Sequence, residues 1–447
     1  MAKKPKILVA GILDTKGNEI KYIAERVNAA GGDATILELT VGKEVGWADI
    51  SLSEVLSNAD IKLKDFMKLD KTDRVEAIVK GGINLVGKML KEGKVHGIIS
   101  TGGSMGSSIV SRIAQTLPIG FPKIICSTMA SGDVRPYVGT KDIAMLYPIA
   151  EVGLNVVTRK VLNNAAGAIV GMCSAPAPVG YEEKKLIGCM MFGVTTPTVL
   201  RASKYFEDRG YDVMINHSVG SGGKSMEELI TDGYIVGILD ITTHEIADFL
   251  LGGVLSAGPD RLTAAGNKGI PQVVAPGGLD VINFGPEDTV PAHYKNEMDI
   301  PGRGYKVHNP MVTVVGTSID EAYQIGAHIA KKLNNAKGPS VLCVPLRGWG
   351  AYDTPGYAPE LGWSEHRPSP MWVSDPENPK RSWRATYFVN ALRDNIDRSK
   401  ENLDVILIDC HLNEPRFADL MAELLDEMLS DKWRKGSHHN ITDVVEF

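Results

Sequence analysis

The stretch 94-KVHGIISTGGSMGSSIVSRIAQTL-117 decides how this chain is read. VHGIIS is a short, continuous apolar run of the kind a strand buried on both faces shows. SIVSRIAQTL carries apolar residues at three- and four-residue spacing, as a helix does. Between them, STGGSMGSS (100–108) packs three glycines and four serines into nine residues. Strand, glycine turn and helix together predict one unit of a parallel α/β sheet.

Working outward, the same alternation recurs. KILVAGI (6–12), ATILELT (34–40) and KIICST (123–128) read as strands. NEIKYIAERVNAAGG (18–32) and RVEAIVKGGINLVGKMLKEG (74–93) read as helices. The run SAPAPVGYEEKK (174–185) mixes proline, glycine and charge as linkers do, and after it the pattern restarts. KLIGCMMFG, DVMINH, IVGILDI and PQVVAPGG are the strands of the second half. KVHGIISTGGSMGSSIVSRIA aligns in pattern with YIVGILDITTHEIADFLLGG, which suggests two similar halves. The expected fold is α/β: two doubly wound, Rossmann-like parallel-sheet domains, 1–180 and 181–447, with a cleft between them. A segment at 354–383, with six prolines and three tryptophans, interrupts the second domain. It is expected to be a lid, a subunit contact or a loop packed over its own domain.

The 447 residues carry 54 acidic and 48 basic side chains, a net charge of −6, with no basic block. That argues against nucleic acid as a partner. No apolar stretch reaches the roughly 20 residues of a membrane span, so no membrane partner is expected. The five cysteines, at 126, 173, 189, 343 and 410, form no CxxC pair. Reduced core thiols and a cytoplasmic location follow. No metal site is expected. The tryptophan-rich segment and the habit of α/β proteins suggest a homo-oligomer.

A glycine turn at a helix N-terminus offers unpaired N–H groups and a positive dipole end to an anion. Gly102, Gly103 and Gly106 let a phosphate approach, and Ser104 and Ser107 add hydroxyls. Asp14, Thr15 and Lys16 follow the first strand and fall on the same sheet edge, as do Ser127 and Thr128 after KIICS. Lys16 would neutralise phosphate, and Asp14 would hold Mg²⁺ or cap a helix.

GILDTK (11–16), GGSMGSS (102–108), LPIGFPKIICSTMASGD (117–133) and YVGTKD (137–142) resemble the Tm-one-like ATP-binding family, whose bacterial members are classed as an uncharacterised protein family. FGVTTPTV, GSGGKSMEELI, GVLSAGPDRLTAAG, GGLDVINFGP, VHNPMVT and HLNEP extend the resemblance through the second half. The resemblance implies an ATP-binding first domain, with Mg²⁺ as a candidate companion, and a second α/β domain. It departs at VVGT (314–317), where relatives carry an arginine-containing stretch.

In the second half SVGSGGKSMEELI (218–230) is again a glycine turn entering a helix, with Lys224 as a cation for a substrate anion or as part of a plain turn. Asp240 ends a strand and His217 lies at another strand end, so the candidate catalytic set is Lys224, Asp240 and His217. His308 and His411 are further acid–base candidates, and Arg347, Asp353, Asp280 and Asn283 complete the pool. His244, Glu245 and Asp248 share a helix, which fits either a metal-binding face or a Thr242–Glu245 capping box. The function expected is an ATP-binding enzyme acting on a small anionic metabolite in the inter-domain cleft. The alternatives are a non-catalytic nucleotide-binding regulatory protein and an ATP-independent lyase or hydrolase.

Overall fold

The first strand shows why this sequence makes a covered sheet. In β1 (Lys6–Gly11) side chains alternate between faces. Ile7 and Val9 pack with the helices Leu13–Ala29 and Val156–Ser174, whereas Leu8 and Ala10 pack with Lys71–Lys91 and Ser104–Ala114. Both faces are apolar, so the run is continuous. The computed structural model describes residues 4–176, 182–441 and 443–447. It divides into two compact units, Met1–Tyr181 and Glu182–Phe447. Residues 177–181 of the expected linker lie outside the described residues.

The first unit adds β2 (Asp33–Glu38), β3 (Gly97–Gly102), β4 (Lys123–Ser127) and β5 (Ala144–Leu146). The order is β2-β1-β3-β4-β5 and every pairing is parallel. The chain moves one way from β1 to β2 and then crosses to the other side of β1 to lay down β3. That reversal opens a crevice at the carboxyl ends of β1 and β3, where sheets of this order bind ligands.

The second unit repeats the plan on a larger scale. Its main strands are β6 (Leu186–Met191), β7 (Asp212–His217), β8 (Ile235–Thr242) and β9 (Gln272–Gly277). A hairpin region follows, with β10 (Val281–Phe284), β11 (Tyr305–Asn309) and β12 (Val312–Gly316). The main sheet resumes with β13 (Ser340–Pro345), β14 (Leu403–Ile408) and β15 (Val444–Val445). The order is β15-β14-β13-β9-β8-β6-β7, parallel except for β15 at the edge. As in the first unit, the opening strand lies between its second and third, so the reversal falls between β6 and β8. The mixed edge and the separate antiparallel sheet β10-β12-β11 are additions to the expected pattern.

The proline- and tryptophan-rich segment packs on its own unit. Trp363 and Met371 are buried with Val194, Val281 and Val314, and Trp363 Nε1 donates to the Arg367 carbonyl at 2.7 Å. Among the described residues no helix is long and apolar enough to cross a membrane. Four of the five cysteines are buried and all five are free thiols.

Candidate functional site

The crevice at the β1/β3 reversal holds a cavity of about 750 Å³. Asp14, Thr15 and Lys16 line it from the end of β1, and Gly102, Gly103, Ser104 and Gly106 from the end of β3. These seven are the sequence-predicted residues the fold brings together. The helix Ser104–Ala114 starts there with Gly103 as N-cap, without a side-chain cap and without an acidic residue in its first turn. Ser107 N donates to the Gly103 carbonyl, but the N–H groups of Ser104, Met105 and Gly106 have no acceptor among the described residues. Three donors and the positive end of the dipole therefore face the cavity. A Cβ on Gly106 would meet only Ile12, at 3.8 Å, so the glycine leaves the floor open on the cavity side.

The other three expected cofactor residues have different work. The Ser107 hydroxyl donates to Ser127 Oγ at 2.5 Å, and Ser127 Oγ accepts from Met129 N at 3.0 Å, which ties the helix to β4. Thr128 Oγ1 donates to Glu151 Oε2 at 2.9 Å. None of the three lines the cavity.

Sequence reasoning missed Glu151, Lys71 and Arg74, which also line it. The Glu151 carboxylate occupies the place a Cβ on Gly103 would take, directly against the helix N-terminus. Its carbonyl accepts a hydrogen bond from Lys16 Nζ, a buried ammonium. Arg74 donates to the carbonyls of Leu69, Val41 and Met67, and no carboxylate among the described residues neutralises it. Ile12, Val41, Leu69 and Met105 give the cavity an apolar wall. Burial pushes the Asp14 carboxyl above its ordinary value, partly offset by backbone donors. Lys71 and Arg74 sit in a run of charge, KLDKTDR, that reads as an ordinary solvated helix start.

In the second unit the expected catalytic set is dispersed. Lys224 is exposed on the helix Ser221–Asp232. Asp240 is buried and accepts from Arg261 at 2.5 Å and 2.6 Å. His217 is exposed and lines a cavity of about 560 Å³ with Phe192, Asn283 and His308. The glycine turn at 218–225 does hold an anion, but the anion is Glu245. Its carboxylate accepts from Gly220 N at 2.6 Å, Gly223 N at 3.1 Å and Arg261 Nε at 2.7 Å. The Thr242–Glu245 capping box is therefore absent: Glu245 reaches away to the turn, and Thr242 Oγ1 pairs with Thr195 at 2.7 Å.

The metal-face reading of that helix also gives way. Asp248 accepts from Leu255 N at 2.8 Å and Asn283 N at 2.9 Å. Among the described residues no three His, Cys, Asp or Glu side chains gather as a metal would need. His244 is fully buried against Phe192, with ring centroids 4.3 Å apart, and burial pulls its pKa down to about 3. His411 is similarly held near 4 by burial. Arg347 pairs with Asp409 at 3.0 Å, and Asp353 with Arg384 at 3.1 Å. Arg261 and Arg384, both fully buried, were not singled out in the sequence, since an arginine carries no signal of burial until its carboxylates are placed.

Comparison with known proteins agrees with this two-part plan. Residues 5–178 match the Uncharacterised protein family (UPF0261) N-terminal domain, and residues 184–429 match its C-terminal domain. A UPF0261 protein of Clostridium tetani is 40% identical over 95% of this chain and 99% of its own length. A UPF0261 protein of Mesorhizobium japonicum is 35% identical over 94% of this chain and 98% of its own. The tomato (Solanum lycopersicum) ToMV resistance protein Tm-1(GCR237) is 31% identical over 94% of this chain, which spans 55% of the tomato protein.

Proposed function

This chain belongs to the UPF0261 family, and we propose that its first unit binds ATP with the phosphates against the N-terminus of the helix Ser104–Ala114. The observation that carries the reading is the cavity of about 750 Å³ whose floor is three N–H groups without acceptors among the described residues. Its size lies within the range of small-molecule and cofactor sites, about 300–1,000 Å³. Phosphate oxygens would take the N–H groups of Ser104, Met105 and Gly106. Lys16, Lys71 and Arg74 supply positive charge, and none of them is ion-paired among the described residues. Ile12, Val41, Leu69 and Met105 supply the apolar wall on which a purine ring packs. Asp14 opens toward the same space and is the carboxylate able to hold Mg²⁺, directly or through water.

The proposal concerns binding. Turnover of an anionic metabolite in the second unit gains no support from the Asp240–Arg261–Glu245 cluster, whose charges are spent on one another. The test is Gly106→Val. The new side chain has room beside Ile12 and replaces a poor helix former, so the fold is retained. It then fills the cavity floor. Isothermal titration with ATP and Mg²⁺ is expected to show at least a tenfold loss of affinity relative to the natural chain. Equal affinity, or no ATP binding by the natural chain, refutes the reading.

A further inference from the structure

The second unit has its own cavity, and its chemistry differs from that of the first. It lies at the carboxyl ends of β6 and β7. Phe192, at the end of β6, and His217, at the end of β7, form one side. The inserted β10-β12-β11 sheet supplies the other, through Asn283, Val312 and His308. Among the described residues no Lys, Arg, Asp or Glu lines it. A phosphate or a dicarboxylate would find no lysine or arginine there to pair with, and burying its charge would carry a high desolvation penalty.

What lines it instead is a stack and a pair of hydrogen-bonding groups. Phe192 stacks with two imidazoles, His244 at 4.3 Å and 13°, and His217 at 5.6 Å and 29°. Asn283 is fully buried, and its Oδ1 accepts no hydrogen bond. A buried carbonyl oxygen without a donor is costly and is usually satisfied. His308 Nδ1 is engaged with Tyr352 Oη at 2.9 Å, which fixes the ring and leaves Nε2 at the rim.

We propose that this cavity binds an uncharged planar ring compound bearing a hydrogen-bond donor such as a carboxamide or hydroxyl, the ring along the Phe192–His217 stack and the donor on Asn283 Oδ1. The site is separate from the ATP cavity, and neither proposal depends on the other. The lack of a lining lysine or arginine sets its specificity: the site takes a neutral amide in preference to the isosteric carboxylate.

Benzamide and benzoate make that comparison with one ring and one change of charge. Saturation-transfer NMR on the full chain is expected to show benzamide bound, with benzoate and inorganic phosphate at least tenfold weaker. Val312→Trp, at a half-buried position of the cavity wall, fills the space and is expected to abolish the benzamide signal with the thermal midpoint retained. Asn283→Leu removes the acceptor and is expected to weaken benzamide at least fivefold. Should Asn283→Leu fail to fold, Val312→Trp decides alone. No benzamide binding, benzoate bound as well as benzamide, or an undiminished signal in folded Val312→Trp overturns the proposal.

Discussion

Glu151→Gln is the substitution that most directly probes the first cavity. In the free protein the Glu151 carboxylate lies against the helix N-terminus at Gly103 and is held by Thr128 Oγ1 at 2.9 Å. It stands where the anion of a ligand would go, and it accepts nothing from the three N–H groups of the first turn. A phosphate chain arriving there meets a like charge. Glu151 is solvent-exposed, so the high-dielectric end of Coulomb's law applies, about 1 kcal/mol for unit charges 4 Å apart. Removing that charge is expected to tighten ATP about fivefold, since about 1.4 kcal/mol corresponds to tenfold.

The gain should shrink as salt is raised, because exposed charges are screened beyond about 10 Å at 0.1 M. It should also be smaller for AMP than for ATP, which brings more charge. The free variant should lose only a few tenths of a kcal/mol, the usual worth of an exposed carboxylate at a helix N-terminus. Isothermal titration at two ionic strengths reads all of this. Unchanged affinity would place the phosphates elsewhere. A strong loss of affinity would make Glu151 a ligand of the bound nucleotide's metal and refute its role as a competing anion.

Two further perturbations test the second unit. Arg261→Met leaves Asp240, Glu245 and Glu227 facing one another without their shared cation, all three within 3.6 Å of Arg261 in the natural chain. Breaking a buried ion pair by removing one partner typically costs about 3–5 kcal/mol, so the urea midpoint should fall steeply; an unchanged midpoint would deny the cluster its structural role. Asp280 is fully buried, neither of its oxygens accepts a hydrogen bond, and burial with the neighbouring Asp353 pushes its pKa up to about 7. A carboxyl raised from 3.8 contributes stability that is present at low pH and lost as pH rises through the folded value. The thermal midpoint should therefore fall between about pH 5.5 and pH 8, across the raised value of about 7, and Asp280→Asn should flatten the slope. An equal slope in the variant would show that Asp280 stays ionised throughout.

Much of the fold was legible because its signals are local. KILVAGI, VHGIIS and IVGILDI are each buried on both faces, and a run with that burial has to be apolar throughout. The sheet order was legible only in part. The crossing between β1 and β3 leaves no mark on either strand, yet it creates the cavity. The antiparallel β10-β12-β11 sheet was missed because GGLDVINFGP and VHNPMVT are short and separated by 20 residues of turn and helix, positions 285–304. Lys71 and Arg74 look like surface charge, and only the packing of their helix against Leu52–Ser57 and Ser104–Ala114 brings them over the crevice. The sequence places Asn283 only in a pool with Arg347, Asp353 and Asp280, and its missing partner is a fact of three dimensions.

The two glycine turns carry the same sequence signal and have opposite outcomes, for a reason neither turn contains. GSGGKS (220–225) and THEIAD (243–248) are separated by 17 residues, and the β8 crossover brings Glu245 back onto Gly220 and Gly223 at 2.6 Å and 3.1 Å. The anion the turn calls for is then part of the chain, and Arg261 locks it there. GGSMGS receives Glu151 from beyond β5, and that carboxylate reaches Gly103 without accepting from Ser104, Met105 or Gly106. Its donors remain unsatisfied, with Lys16, Lys71 and Arg74 alongside. An internal carboxylate that bonds the turn closes it to ligands, whereas one that only leans on it leaves an anion site with a charge to displace. This is why we propose the anionic ligand for the first unit, and a neutral one for the open cavity of the second, whose glycine turn is already satisfied.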